Sequence, residues 1–199
     1  MSKKSKATVA YSGIVLCTLY LIVVTAFITT KLKLFLSGME AMTIISAIFI
    51  PFLIEAIVAD TLPGKSWWRH LSYIFTVCCL LLTVSTHFIN LTVTNALIHT
   101  GINVPAYFQI GQWPSVEMAA DYLAWGMFLG FAFISAAIAI SNIAKLRKMQ
   151  IIAFICGILC LIGFVGPIVN NQNIWFIAVT GYTLGIILVS IEILRLNRQ

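Results

Sequence analysis

Apolar residues run in six long stretches, at roughly residues 8–29, 41–59, 71–94, 118–141, 149–168 and 173–193, and polar residues collect between them. At 1.5 Å of rise per residue, each stretch can cross about 30 Å of hydrocarbon as a helix. Strands do not fit the pattern. The period-2 alternation of a membrane barrel is absent, and an open sheet edge could not satisfy its backbone in lipid. The pattern predicts an all-α fold, a polytopic bundle of six transmembrane helices forming one domain over residues 1–199. Most connections are short, and Pro63 and Gly64 mark a tight turn beside Trp67 and Trp68, which suit the headgroup level. The exception is 95–117, read as an external loop that holds Tyr107, Phe108 and Trp113 but no Lys or Arg. It either rests on the headgroups or folds back over the helices.

Composition sharpens this reading. Hydrophobic residues make up 61% of the chain and charged residues 9%, with a mean hydropathy of +1.03. So few charges cannot clothe a water-facing surface. Their positions set the orientation. With the N-terminus inside, Lys3, Lys4, Lys6, Lys65, Arg69, Lys145, Arg147, Lys148, Arg195 and Arg198 are cytoplasmic, and only Lys31 and Lys33 are outside. Five spans would move Arg195 and Arg198 outside and spoil the asymmetry. Both termini are therefore expected in the cytoplasm. The net charge of +6 is dispersed between spans instead of clustered on one solvated face, so nucleic acid is not an expected partner. The N-terminal lysines and the apolar run from Ala7 to about Ile28 imitate a secretory signal. That run exceeds a signal's core of ~7–15 residues and no small-residue cleavage site follows, so it is read as a retained first span.

Within the spans, polar positions mark inward faces, because a polar group facing lipid loses hydrogen bonds. In helix 3, Ser72, Thr76, Thr83, His87, Asn90 and Thr94 are separated by 4, 7, 4, 3 and 4, which makes one narrow stripe. Helix 1 offers Tyr11, Thr18, Thr25 and Thr29 in the same way, and helix 6 offers Thr180, Thr183 and Ser190 more loosely. Such stripes either pack and hydrogen-bond neighbouring helices or line a polar cavity. For helix 1 the packing reading is preferred. For helix 3 both stay open, since His87 and Asn90 are costlier to bury than Thr. Gly126 with Gly130, and Gly181 with Gly185, have the small-xxx-small spacing that lets backbones approach. No internal repeat relates helices 1–3 to helices 4–6, which weighs against an inverted-repeat transporter.

Ionisable groups inside spans are the strongest functional pointers. Glu55 follows Pro51 by four residues on helix 2, where the proline removes a backbone hydrogen bond and invites a kink. Its carboxyl is a candidate for binding a cation or proton, or else sits protonated or snorkelling near the interface. On the outer side, Glu117 and Asp121 open helix 4, with His87 and Asn90 at similar depth and His99 in the loop. These could converge on a metal or proton site, or the two carboxylates could simply favour the helix N-terminus. Nothing resembles HExxH or paired CxxC, so no metal ligands are assigned. Cys17, Cys78, Cys79, Cys156 and Cys160 all lie within apolar runs, and Cys156 and Cys160 read as small packing residues. No G-x-S-x-G elbow, P-loop or dinucleotide fingerprint appears, which argues against an enzyme.

The stretches HFINLTVTNALIHTG (87–101) and DYLAWGMFLGFAF (121–133) resemble a group of small bacterial multi-pass integral membrane proteins of unassigned function. In that group the end of helix 3 and the following loop lead to an acidic residue opening helix 4, as Glu117 and Asp121 do here. The resemblance covers part of the chain, implies a bacterial inner-membrane location, and carries over no functional residue. The leading functional expectation is a sensor or accessory subunit that binds a solute, lipid or partner protein within its bundle. The alternative is a small proton- or cation-coupled transporter, working as a homo-oligomer, with Glu55 or Asp121 as coupling carboxyl. An intramembrane enzyme using His87 as base comes third. Beyond the lipid bilayer itself, the sequence names no partner and no cofactor.

Overall fold

Among the described residues, six helices are long and apolar enough to cross a membrane: α1 (Lys3–Thr30), α2 (Leu34–Val58), α3 (Pro63–His99), α4 (Val116–Ala139), α5 (Ala144–Ile168) and α6 (Trp175–Asn197). The structure is a computed structural model that describes residues 1–30, 32–109 and 113–198. Lys31 and the Lys33 side chain, the two basic groups read as external, lie outside the described residues, as do positions 110–112 of the long connection. The described residues contain no strand, and the chain is an all-α, six-helix, multi-pass membrane bundle.

The helices pack in a ring in chain order, each against its neighbours in sequence, and α6 closes the ring on α1. Six spans put both termini at one end, here the termini end; the long connection lies at the loop end. Small residues set the tightest seams. Gly130 of α4 and Gly157 of α5 touch backbone to backbone, so that a Cβ on Gly157 would come 2.7 Å from the Gly130 carbonyl oxygen. Gly181 of α6 lies against Cys156 and Cys160 of α5, which explains the inward face of both cysteines. With no hydrophobic driving force between helices in lipid, such close approach supplies the attraction through dispersion. α4 lies deepest, its inward side made of Ala132, Phe133, Ala136 and Ala139 with no exposed surface.

The turns are written in residues that tolerate positive φ. α3 ends where Gly101 takes φ 76° and the Ile102 N–H bonds back to the Leu97 carbonyl at 3.0 Å, a glycine-capped helix end. Asn170, φ 54°, does the same after α5, with Asn171 N–H bonded to Gly166 O at 2.9 Å. α4 opens on Ser115, whose hydroxyl accepts from the Met118 N–H at 3.3 Å. α3 runs past the hydrocarbon stretch by continuing to His99, so the connection before α4 is shorter than 95–117. Part of it is pinned over the bundle. Trp113 Nε1 donates to Asn170 Oδ1 at 3.1 Å, while Tyr107 and Phe108 are exposed.

The polar stripe of α1 faces outward, which corrects the expectation of hydrogen bonds to neighbouring helices. Thr18 and Thr25 are exposed, as are Tyr11 and Thr29. The physical reason is local: a helical threonine can donate to its own preceding turn. Thr18 Oγ1 bonds Ile14 O at 2.8 Å and Thr29 Oγ1 bonds Thr25 O at 2.9 Å. A hydroxyl satisfied in this way can face lipid without a partner helix.

Candidate functional site: a histidine between two carboxylates

The α3 stripe is buried along its whole length: Ser72, Thr76, Thr83, His87, Asn90 and Thr94 all point into the bundle. Its lower part is a packing seam, since Ser72 Oγ donates to Arg69 O at 2.7 Å and Thr76 Oγ1 to Ser72 O at 2.6 Å. The chemistry is concentrated at His87. Its Nδ1 lies 2.6 Å from Glu40 Oε2 of α2, and its Nε2 lies 3.1 Å from Asp121 Oδ1 of α4. His87 is 3% exposed and Glu40 1%. Both acids sit about 9 Å inside the loop end of their helices, counting six residues from Leu34 and from Ser115 at 1.5 Å each.

Proton counting limits what this chain of groups can be. A neutral imidazole has one N–H, so it can donate to one carboxylate only. To make both bonds, the three groups must hold two protons, as an imidazolium between two carboxylates or as an imidazole with one carboxyl protonated. Either arrangement leaves a net charge of −1 inside a span. No described Lys or Arg side chain lies at this end of the bundle. Glu40 Oε1 is buried without a hydrogen-bond partner, which adds to the cost of holding charge there.

Two irregular turns adjoin this triad. π-helix runs over Asn90–Thr94, directly after His87 on α3, and over Leu123–Phe128, directly after Asp121 on α4. Such wide turns break the ordinary hydrogen-bond ladder and recur at functional sites. The one in α4 turns Ala124, Trp125 and Gly126 inward in succession. Gly126 is needed there: a Cβ would sit 2.7 Å from Phe164 Cβ and 3.2 Å from the Trp175 ring.

A cavity of about 250 Å³ opens beside His87 and Asp121. One side of it is bounded by the second half of α1, which is less buried than the first. Ala10, Gly13 and Cys17 are the buried residues of α1, and Gly13 approaches Ser190 so closely that a Cβ would lie 2.6 Å from its hydroxyl. Beyond Cys17 the helix keeps contact with α2, where a Cβ on Gly38 would lie 3.5 Å from Val23, while Leu21 and Val24 face Phe176 and Val179 of α6 across the cavity. Leu21 and Phe176 are 39% and 66% exposed, so the mouth opens sideways between α1 and α6. The inner wall carries Tyr20, Trp125, Trp175 and Tyr182. Trp125 packs on Tyr182 with ring centres 5.0 Å apart, and Trp175 on Tyr122 at 4.3 Å. Thr183 Oγ1, on the same wall, is buried without a hydrogen-bond partner.

Comparison with protein-family models, with curated proteins and with solved structures gives no match. Function must therefore be argued from the site.

The remaining candidates fall outside the triad. Asn90 is buried one turn beyond His87, and Glu117 is buried one turn before Asp121, but neither lines the cavity. His99 is exposed at the end of α3. Glu55 belongs to the termini end, about 22 Å along α2 from Glu40, counting fifteen residues. There Arg69 Nη2 donates to its two oxygens at 3.3 and 3.1 Å, and the Tyr73 hydroxyl donates to Oε2. Sequence reasoning missed Glu40, the deepest carboxylate of the triad, because the second apolar stretch was started at residue 41. Starting it at Leu34, where hydropathy already supports helix, exposes Glu40 as an acid inside a span.

Proposed function

We propose that this chain is a non-enzymatic membrane protein of the bacterial cytoplasmic membrane, with both termini cytoplasmic, that takes a small ligand into the cavity beside His87. It acts as a sensor or accessory subunit. The observation that carries the reading is the Glu40–His87–Asp121 chain, two of whose members, His87 and Asp121, line a cavity that is mostly aromatic and aliphatic. Burying two carboxylates and an imidazole in a span is expensive and marks a functional site in a membrane protein. A pocket with apolar walls and a few convergent polar groups is the usual form of a small-molecule site. The ten basic residues at the termini end support the orientation.

A second reading, the proton-coupled transporter, is favoured by the same triad because it must hold protons inside the membrane. Asp121 is then the coupling carboxyl, and Glu55, already bound by Arg69, is not. The layer between the cavity and the termini end favours the first reading. Leu53, Leu129 and Phe133 fill it with no exposed surface, so a ligand in the cavity meets a closed apolar core.

Thermal unfolding of the purified protein against ions, lipids and small metabolites tests the proposal. A ligand at 100 times its Kd stabilises by roughly 2.7 kcal/mol, and the shift is expected to disappear in Asp121→Asn. Stabilisation by no compound overturns the assignment of the site, and shifts that Asp121→Asn leaves intact overturn the role given to Asp121 in it. Proteoliposomes separate the readings: uptake driven by a pH gradient and lost in Asp121→Asn selects transport.

A further inference from the structure

We infer that the cavity takes a monovalent organic cation with an apolar body, a quaternary or protonated amine, seated among Tyr20, Trp125, Trp175 and Tyr182 beside the Asp121 carboxylate. This rests on the cavity being a ligand site and names the class of ligand. Charge is the first argument. With both of its bonds made, the triad keeps a net charge of −1, and the described residues at this end offer no Lys or Arg to balance it. An anion would add to that charge, and a cation offsets it.

The walls supply the second argument. Two Trp and two Tyr rings line one small space, and aromatic faces attract cations whose hydration shell is weak, Trp most strongly. A bare metal ion fits poorly, because hard cations call for six or more oxygen ligands, and the described residues hold no group of three His, Cys, Asp or Glu suited to a metal. A third, independent observation points to a guest with a polar group. Thr183 is 4% exposed, lines the cavity, and its hydroxyl oxygen has no hydrogen-bond partner. It is placed to accept from an ammonium N–H or to meet the polarised methyls of a quaternary head. The mouth between Leu21 and Phe176 opens toward lipid, which suits an amphipathic cation that first partitions into the bilayer.

The test uses three probes of similar size with the full chain in nanodiscs: phenyltrimethylammonium, its uncharged isostere tert-butylbenzene, and benzenesulfonate. Binding is read from quenching of tryptophan fluorescence and confirmed by calorimetry. The cation should bind roughly tenfold or more tightly than the neutral isostere, as expected for a desolvated cation–π site with a carboxylate, and benzenesulfonate should not bind. Asp121→Asn should remove the preference while leaving tert-butylbenzene binding in place, which also shows that the variant is folded. Equal binding of cation and isostere, insensitive to Asp121→Asn, overturns the cation assignment and keeps the cavity as an apolar-ligand site. Preference for the sulfonate overturns it in the opposite sense. Failure of all three probes to bind refutes the cation assignment; if the metabolite panel then shows no shift either, the cavity itself is not a ligand site.

Discussion

The two ends of the bundle treat carboxylates differently. The chain has six acidic residues, three toward each end. At the termini end, Asp60 meets Lys6 at 3.1 Å and Lys145 at 3.7 Å, Glu55 meets Arg69 at 3.1 Å, and Glu192 meets Arg195 at 2.5 Å and Lys148 at 3.5 Å. Every one of these partners carries a permanent charge. At the loop end, among the described residues, Glu40 and Asp121 share one histidine between them. Paired with Lys or Arg, a carboxylate becomes a structural fixture near the headgroups. Paired with a histidine that must divide itself between two acids, it leaves the group with a net negative charge. The difference supports the proposed site at the loop end, although the described residues form more ion pairs at the termini end.

The largest expected effect breaks the loop-end cluster. His87→Leu leaves Glu40 and Asp121 without their shared partner, and removing one member of a buried charged network typically costs about 3–5 kcal/mol. Chemical unfolding of the detergent-solubilised protein, followed by helicity, should register that loss. Replacing all three residues together, Glu40→Leu, His87→Leu and Asp121→Leu, removes the buried charge as well as the bonds. It should recover most of the stability while abolishing ligand binding. If the triple variant is as unstable as the single one, the triad's cost lies in packing and not in charge.

The matching experiment at the termini end is Arg69→Met. The Arg69 and Glu55 side chains are 35% and 32% exposed, so water and headgroups screen the pair and the loss should be about 1 kcal/mol or less. The Tyr73 hydroxyl continues to serve Glu55. Ligand-induced stabilisation should be unchanged in this variant. A larger loss than that of His87→Leu would reverse the comparison.

Hydropathy alone made the six helices legible, since lipid allows an apolar stretch of that length few other structures. The α3 stripe was legible too, because burial of polar groups follows the 3.6-residue period. What failed was inference from hydroxyls. Thr18 and Thr25 satisfy the same spacing as Thr76 and Thr83 but face outward, because a threonine can be satisfied by its own helix and so reports little about neighbours. Histidine and carboxylates cannot be satisfied that way, and His87 and Asp121 did converge. Glu40 and the aromatic wall stayed hidden for a different reason. They come from α1, α2, α4 and α6, and no periodicity in one segment states which helices share a cavity.

The smallest effect belongs to Asp60, between α2 and α3, and it sharpens the contrast through pH and salt. Burial pushes this carboxyl up, but the hydrogen bond from Lys6 and the charges of Lys6 and Lys145 outweigh it, so the net displacement is below the ordinary value. A carboxyl depressed on folding contributes stability that is complete above the unfolded value near 3.9 and is lost as pH falls through the folded value. With the side chain 40% exposed, Asp60→Asn should cost about 0.5 kcal/mol or less at neutral pH. The gap between wild type and variant should close below about pH 4 and shrink at about 1 M salt, where the screening length is roughly 3 Å. The His87→Leu loss should persist in the same salt, because the His87 and Glu40 side chains are only 4% and 1% exposed. Equal salt sensitivity at both ends would mean that water reaches the triad, and the loop-end carboxylates would then be screened surface groups.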